Sequence, residues 1–73
     1  MYNKKICVVG AGYWGKNHIR TFHELGTLGG IVEFNTKVLD SFAQKYPYAK
    51  TYIKVEDALA NDDYKGFTVA TPA

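Results

Sequence analysis

Apolar positions along the chain fall into two alternating rhythms. Residues 6–9, Ile-Cys-Val-Val, form an unbroken apolar run closed by Gly10, the pattern of a strand buried on both faces, as in a parallel sheet. From 13 to 25, Trp14, Ile19, Phe22 and Leu25 recur at near-helical spacing, and Gly26 suits the left-handed position just past a helix end. Residues 30–34, Gly-Ile-Val-Glu-Phe, read as a second strand. Asn35 then stands where a helix N-cap belongs, and Val38, Leu39, Phe42, Ala43 and Tyr46 mark one face of a second helix that Pro47 ends. A weak third strand at 51–53, a short helix at 55–60 with Glu56 and Asp57 in its first turn, a loop at 61–63 and a fourth strand at 66–71 stopped by Pro72 complete the chain.

Strands alternating with helices argue for parallel strands joined by right-handed crossovers. The expected fold is therefore α/β: a partial Rossmann, doubly wound sheet of four strands in order 3-2-1-4, with helices on both faces. In that order strands one and four are neighbours, and a ligand belongs in the crevice at their carboxyl ends, between Gly10 and Thr71-Pro72.

Bulk properties narrow this picture. Seventy-three residues allow one small domain, burying roughly 60% of the surface that the unfolded chain exposes. An apolar fraction of 47% is that of a chain that folds. Nine basic and seven acidic residues give a net charge of +2, and the longest basic run is Lys4-Lys5. No nucleic-acid footprint is expected from so little clustered charge. Cys7 is the one cysteine, which leaves no disulfide framework or metal-ligand cluster. No apolar run reaches the length of a membrane span or a signal sequence, so the expectation is a cytoplasmic protein without a membrane partner.

The chemistry-bearing stretch is VVGAGYWGKNH, 8–18. Gly10, Gly15 and Lys16 fit most of a triphosphate loop, G-x-x-x-x-G-K-[S/T], but Asn17 stands where a magnesium-binding hydroxyl is required, and the bulky Tyr13 and Trp14 crowd the loop. Gly10, Gly12 and Gly15 fit the dinucleotide pattern G-x-G-x-x-G in full. Its glycines make the tight turn, let the backbone approach the pyrophosphate and let helix pack on strand. The helix amides then face the phosphates without help from a basic side chain, which leaves Lys16 a solvated helix residue. The pattern also asks for an acid about 20 residues on. Glu33 follows Gly10 by 23 residues, at the end of the second strand. A carboxylate there accepts hydrogen bonds from the adenosine ribose and repels a 2′-phosphate, so NAD is expected over NADP; the alternative is a solvated acid at a strand end.

With VVGAGYWGKNH, the acid in IVEFN and the terminal VATPA, the chain resembles the N-terminal part of the nucleotide-binding domain in the glucose-fructose oxidoreductase and inositol dehydrogenase family (Gfo/Idh/MocA), over essentially all its length. The Tyr-Trp-Gly-Lys-Asn-His run is most similar to members acting on nucleotide sugars, such as UDP-N-acetylglucosamine 3-dehydrogenases. The resemblance implies an NAD-binding portion, 1–73, of an oxidoreductase that passes hydride from a sugar or nucleotide-sugar hydroxyl to nicotinamide. It places Gly10, Gly12 and Gly15 at the pyrophosphate with the amides of Tyr13 and Trp14, Glu33 at the ribose, Phe34 beside the adenine, and Thr71 and Pro72 along the nicotinamide. Tyr13, Trp14 and Phe34 can equally be packing or strand-end aromatics, and Thr71-Pro72 a strand terminator.

The family's histidine after A-T-P, its Glu-Lys-Pro segment with the catalytic lysine and its substrate domain have no counterpart in these 73 residues. No catalytic residue is therefore expected, and His18 and His23 read as structural or surface groups on the first helix. The rival expectation is a non-catalytic half-Rossmann module that binds a nucleotide or self-associates, the latter through the raw edge of strand four.

Overall fold

A computed structural model describes residues 5–10, 15–60 and 64–70. Seven elements follow in order: β1 (Ile6–Val9), α1 (Gly15–Glu24), β2 (Leu28–Val32), α2 (Thr36–Lys45), β3 (Lys50–Tyr52), α3 (Val55–Leu59) and β4 (Gly66–Val69). The strands form one all-parallel sheet in the order β3-β2-β1-β4. This is the α/β, Rossmann-like arrangement that the sequence predicts.

Crossover handedness explains where the helices lie. Two successive right-handed crossovers toward β3 put α1 and α2 on one face, and the reversal from β3 back to β4 puts α3 on the other. The two cores follow that division. Val8, Ile19, Leu28, Ile31, Leu39, Tyr46 and Ala49 pack together beneath α1 and α2, joined by the half-buried Phe22, Val38 and Phe42. Cys7, Val32 and Ala58 pack under α3 with Val9, Tyr52, Val55 and Tyr64. Both faces of β1 are thus covered, which is why its sequence is apolar without alternation.

The helix ends are built from local hydrogen bonds. Gly26, at φ 75°, closes α1: its N–H donates to the His23 carbonyl at 3.0 Å and the Thr27 N–H to the Phe22 carbonyl at 2.9 Å, the paired bonds of a Schellman motif. At the start of α2 the Asn35 side-chain oxygen accepts from the Lys37 and Val38 amides, as an N-cap should.

Several boundaries differ from expectation. Helix α1 begins at Gly15 among the described residues and ends at Glu24, and Leu25 is exposed because the Schellman turn carries it off the helix face. Strand β2 begins two residues before the expected start and ends at Val32, not Phe34. A register shift explains this: Ile6 pairs with Leu28 but Cys7 with Gly30, so Gly29 is an extra residue. The bulge resets the alternation and sends Leu28 and Ile31 to the same side. Strand β3 begins one residue before and ends one before the expected span, and β4 ends at Val69. The loop at 61–63 lies outside the described residues.

Candidate functional site

The sheet delivers its carboxyl ends to one rim. There β1 runs into Gly10, whose N–H donates to the Val32 carbonyl at 2.7 Å while the Ala70 N–H donates to the Val9 carbonyl at 2.8 Å. Gly10 therefore sits between the ends of β2 and β4, at the point where the chain reverses its winding. Its φ of 91° lies in a region that only glycine adopts readily.

Gly15 is the buried first residue of α1. A Cβ added there would collide with the carbonyl of Gly10 and stand 3.8 Å from the Ala70 Cβ. Strand end and helix start therefore touch through bare backbone, and the absence of two side chains sets their separation. The amino end of α1 faces this rim with no acidic residue in its first turn. Its amides and positive dipole end are suited to an anion.

Glu33 follows β2 directly. Its N–H extends the ladder to the Tyr52 carbonyl at 3.0 Å, and its Oε2 accepts the Asn35 N–H at 2.9 Å. With 7% of its surface exposed, Glu33 is not a solvated strand-end acid. The backbone turn that caps α2 also fixes this carboxylate, so Asn35 serves two elements. Phe34 points outward and is 81% exposed, an uncovered ring at the same rim. Gly12, Tyr13, Trp14, Thr71 and Pro72 lie outside the described residues.

The structure thus brings Gly10, Glu33 and Phe34 to adjacent strand ends, with Gly15 at the helix start packed against Gly10. One contributor carries no motif signal in the sequence: the Asn35 backbone amide, which orients Glu33. Ala70, the alanine of VATPA, stands on the β4 side of the rim, where its Cβ would lie 3.8 Å from a Cβ on Gly15. Lys16, Asn17 and His18 are exposed on α1, and the Asn17 carbonyl accepts the Thr21 hydroxyl at 2.8 Å. His23 shares a hydrogen bond of 2.7 Å between Nδ1 and the Tyr48 hydroxyl, with the rings stacked 5.7 Å apart.

Beneath the sheet, opposite α1, lies a phenol pair. Tyr64 donates to the Gly29 carbonyl at 3.4 Å, and it shares a 2.9 Å hydrogen bond with the Tyr52 hydroxyl. A Cβ on Gly30 would strike the Tyr64 ring and stand 3.2 Å from Cys7 Sγ. Gly30 is thus the gap through which Tyr64 reaches the sheet. Burial pushes the Cys7 thiol up to about 11. Among the described residues no helix is long and apolar enough to cross a membrane, and no group of three or more His, Cys, Asp or Glu is arranged to hold a metal ion.

Comparison with protein-family models, curated proteins and solved structures gave no match.

Proposed function

We propose that the chain is the NAD-binding part of an oxidoreductase that acts on a sugar or nucleotide-sugar hydroxyl, and that these 73 residues bind the dinucleotide without performing the chemistry. The observation that carries the cofactor reading is the contact between Gly15 and the Gly10 carbonyl. It is a cradle that a single Cβ would fill, at the topological switch point of a doubly wound sheet, where such folds bind their ligands. Gly10 and Gly15, with Gly12, would hold the pyrophosphate against the start of α1. Glu33 would accept hydrogen bonds from the ribose diol, and Phe34 would lie along the adenine. The bound group would supply a nicotinamide able to take up hydride.

The near-buried Glu33 carboxylate favours NAD over NADP, because a 2′-phosphate adds up to two negative charges beside an acid that little water screens. The sugar substrate rests on the family resemblance of VVGAGYWGKNH and VATPA. No acid or base for hydride transfer is assigned: His18 is exposed on α1 and His23 is engaged with Tyr48.

Calorimetric titration with NAD and NADP is the test. NAD is expected to bind at least about tenfold more tightly, a difference of about 1.4 kcal/mol, and Glu33→Gln is expected to narrow the gap. Equal or tighter binding of NADP would remove the role given to Glu33.

A second reading has its own observation. Strand β4 is an edge of the sheet, with Phe67 and Val69 exposed on it, and a bare apolar edge invites pairing with another strand. On this reading the chain is a non-catalytic, self-associating nucleotide-binding module, and its oligomeric state is the discriminating measurement.

A further inference from the structure

Side chains of α1 and α2 line an open groove of about 490 Å³: Lys16, Asn17, Arg20, Ser41, Phe42 and Lys45. Lys16 and Arg20 stand four residues apart, so they share one flank of α1, and Lys45 faces them from α2. Among the described lining residues there is no carboxylate; Glu24 and Asp40 are exposed on the same two helices but do not line it. Lys45 is held with its ammonium 5.7 Å from the centre of the Tyr46 ring, a cation–π contact that orients it.

We propose that this groove binds a small organic polyanion carrying two or more phosphoryl groups. Arg20 and Lys45 bring positive charge into the groove from two different helices, and an anion placed between them gains charge-assisted hydrogen bonds from both, with Lys16 adding to the local positive charge. The Asn17 amide adds a neutral donor. The Ser41 hydroxyl proton is committed to the Val38 carbonyl at 2.8 Å, so Ser41 shapes the groove wall without donating to an anion. Half-buried Phe42 gives the groove an apolar floor for the organic part. Size and charge together select a small molecule: the volume lies within the roughly 300–1,000 Å³ usual for such sites, whereas a nucleic acid requires cations spread along a much longer face. The proposal stands independently of the dinucleotide reading, since none of these side chains belongs to the glycine cradle.

The test is a nitrogen-15 NMR titration of the whole chain with sodium tripolyphosphate, repeated with citrate and with an oligo-aspartate peptide. Saturable shifts are expected at Lys16, Asn17, Arg20, Ser41 and Lys45. Affinity should fall as salt is raised, and it should weaken about tenfold or more in Arg20→Gln/Lys45→Gln. Both changes are on exposed side chains, so signal dispersion should be retained, and NAD-induced shifts at Gly10, Gly15 and Glu33 should persist in the double variant. Shifts confined to Gly10 and Gly15, shifts unchanged in the double variant, or affinity independent of salt would overturn the site. Tighter binding of citrate or of the peptide would overturn the ligand class.

Discussion

Gly15 and Gly26 lie at opposite ends of α1 and are glycines for different reasons, which makes them a matched pair of tests. Gly26 needs its positive φ; alanine there would strain the backbone by about 1–2 kcal/mol and lower the melting temperature without touching the rim. Gly15 needs space, because any Cβ meets the Gly10 carbonyl. Gly15→Ala must push α1 away from β1, at a cost of about 1–3 kcal/mol, and is expected to abolish the calorimetric heat of NAD while far-UV circular dichroism persists. Equal NAD affinity in the two variants would detach the cradle from cofactor binding. Cys7 gives a pH prediction of definite sign. Its thiol is pushed by burial from 9.0 to about 11, so between those values the unfolded chain loses a proton that the folded chain keeps. That contribution to stability is complete below pH 9 and declines as pH rises toward 11. The urea midpoint should therefore fall across this window, and less steeply in Cys7→Ala, which has no thiol to titrate.

At the scale of elements, the order of strands and helices was legible in the apolar rhythm, but the boundaries of β2 were not. The apolar rhythm starts this strand at Gly30, yet Gly29 belongs to it as the bulge and Gly30 makes room for Tyr64. Both are tertiary reasons, with no trace in local spacing. The acid at Glu33 was legible from its distance to Gly10. Its burial and its bond from the Asn35 amide were not, because they depend on how the α2 cap folds back over the end of β2. Asn35 itself was legible as a cap. Asn35→Ala should remove the side-chain bonds to Lys37 and Val38 and cost about 1 kcal/mol, seen as a fall in melting temperature of about 4–8 °C. Because the bond to Glu33 uses the backbone N–H, it survives this substitution, so NAD affinity should change little. Asn35→Asp should restore stability, since aspartate caps equally well.

The whole molecule is asymmetric in how its sheet is covered. On the α3 side the helix packs chiefly over β2 and β3, while Phe67 and Val69, paired with Cys7 and Val9 and so facing the same way, stand on the half of the sheet near β4. Tyr64 covers part of Phe67 through an edge contact 5.6 Å between ring centres, but Val69 remains 69% exposed. An apolar side chain beside an edge strand lowers the barrier to adding a further strand, and natural proteins commonly block such edges with lysine. Val69→Lys imitates that device at a position whose side chain is already in solvent, so the fold should tolerate it. If the edge is sticky, sedimentation velocity of the unmodified chain will show a weight-average mass rising with concentration, and Val69→Lys will hold it near that of one chain with unchanged circular dichroism. Cofactor binding at the glycine cradle should be the same in both, because Val69 points to the α3 side whereas Gly15 stands on the α1 side. A chain that stays monomeric at every concentration would leave the dinucleotide reading intact and remove the self-associating one.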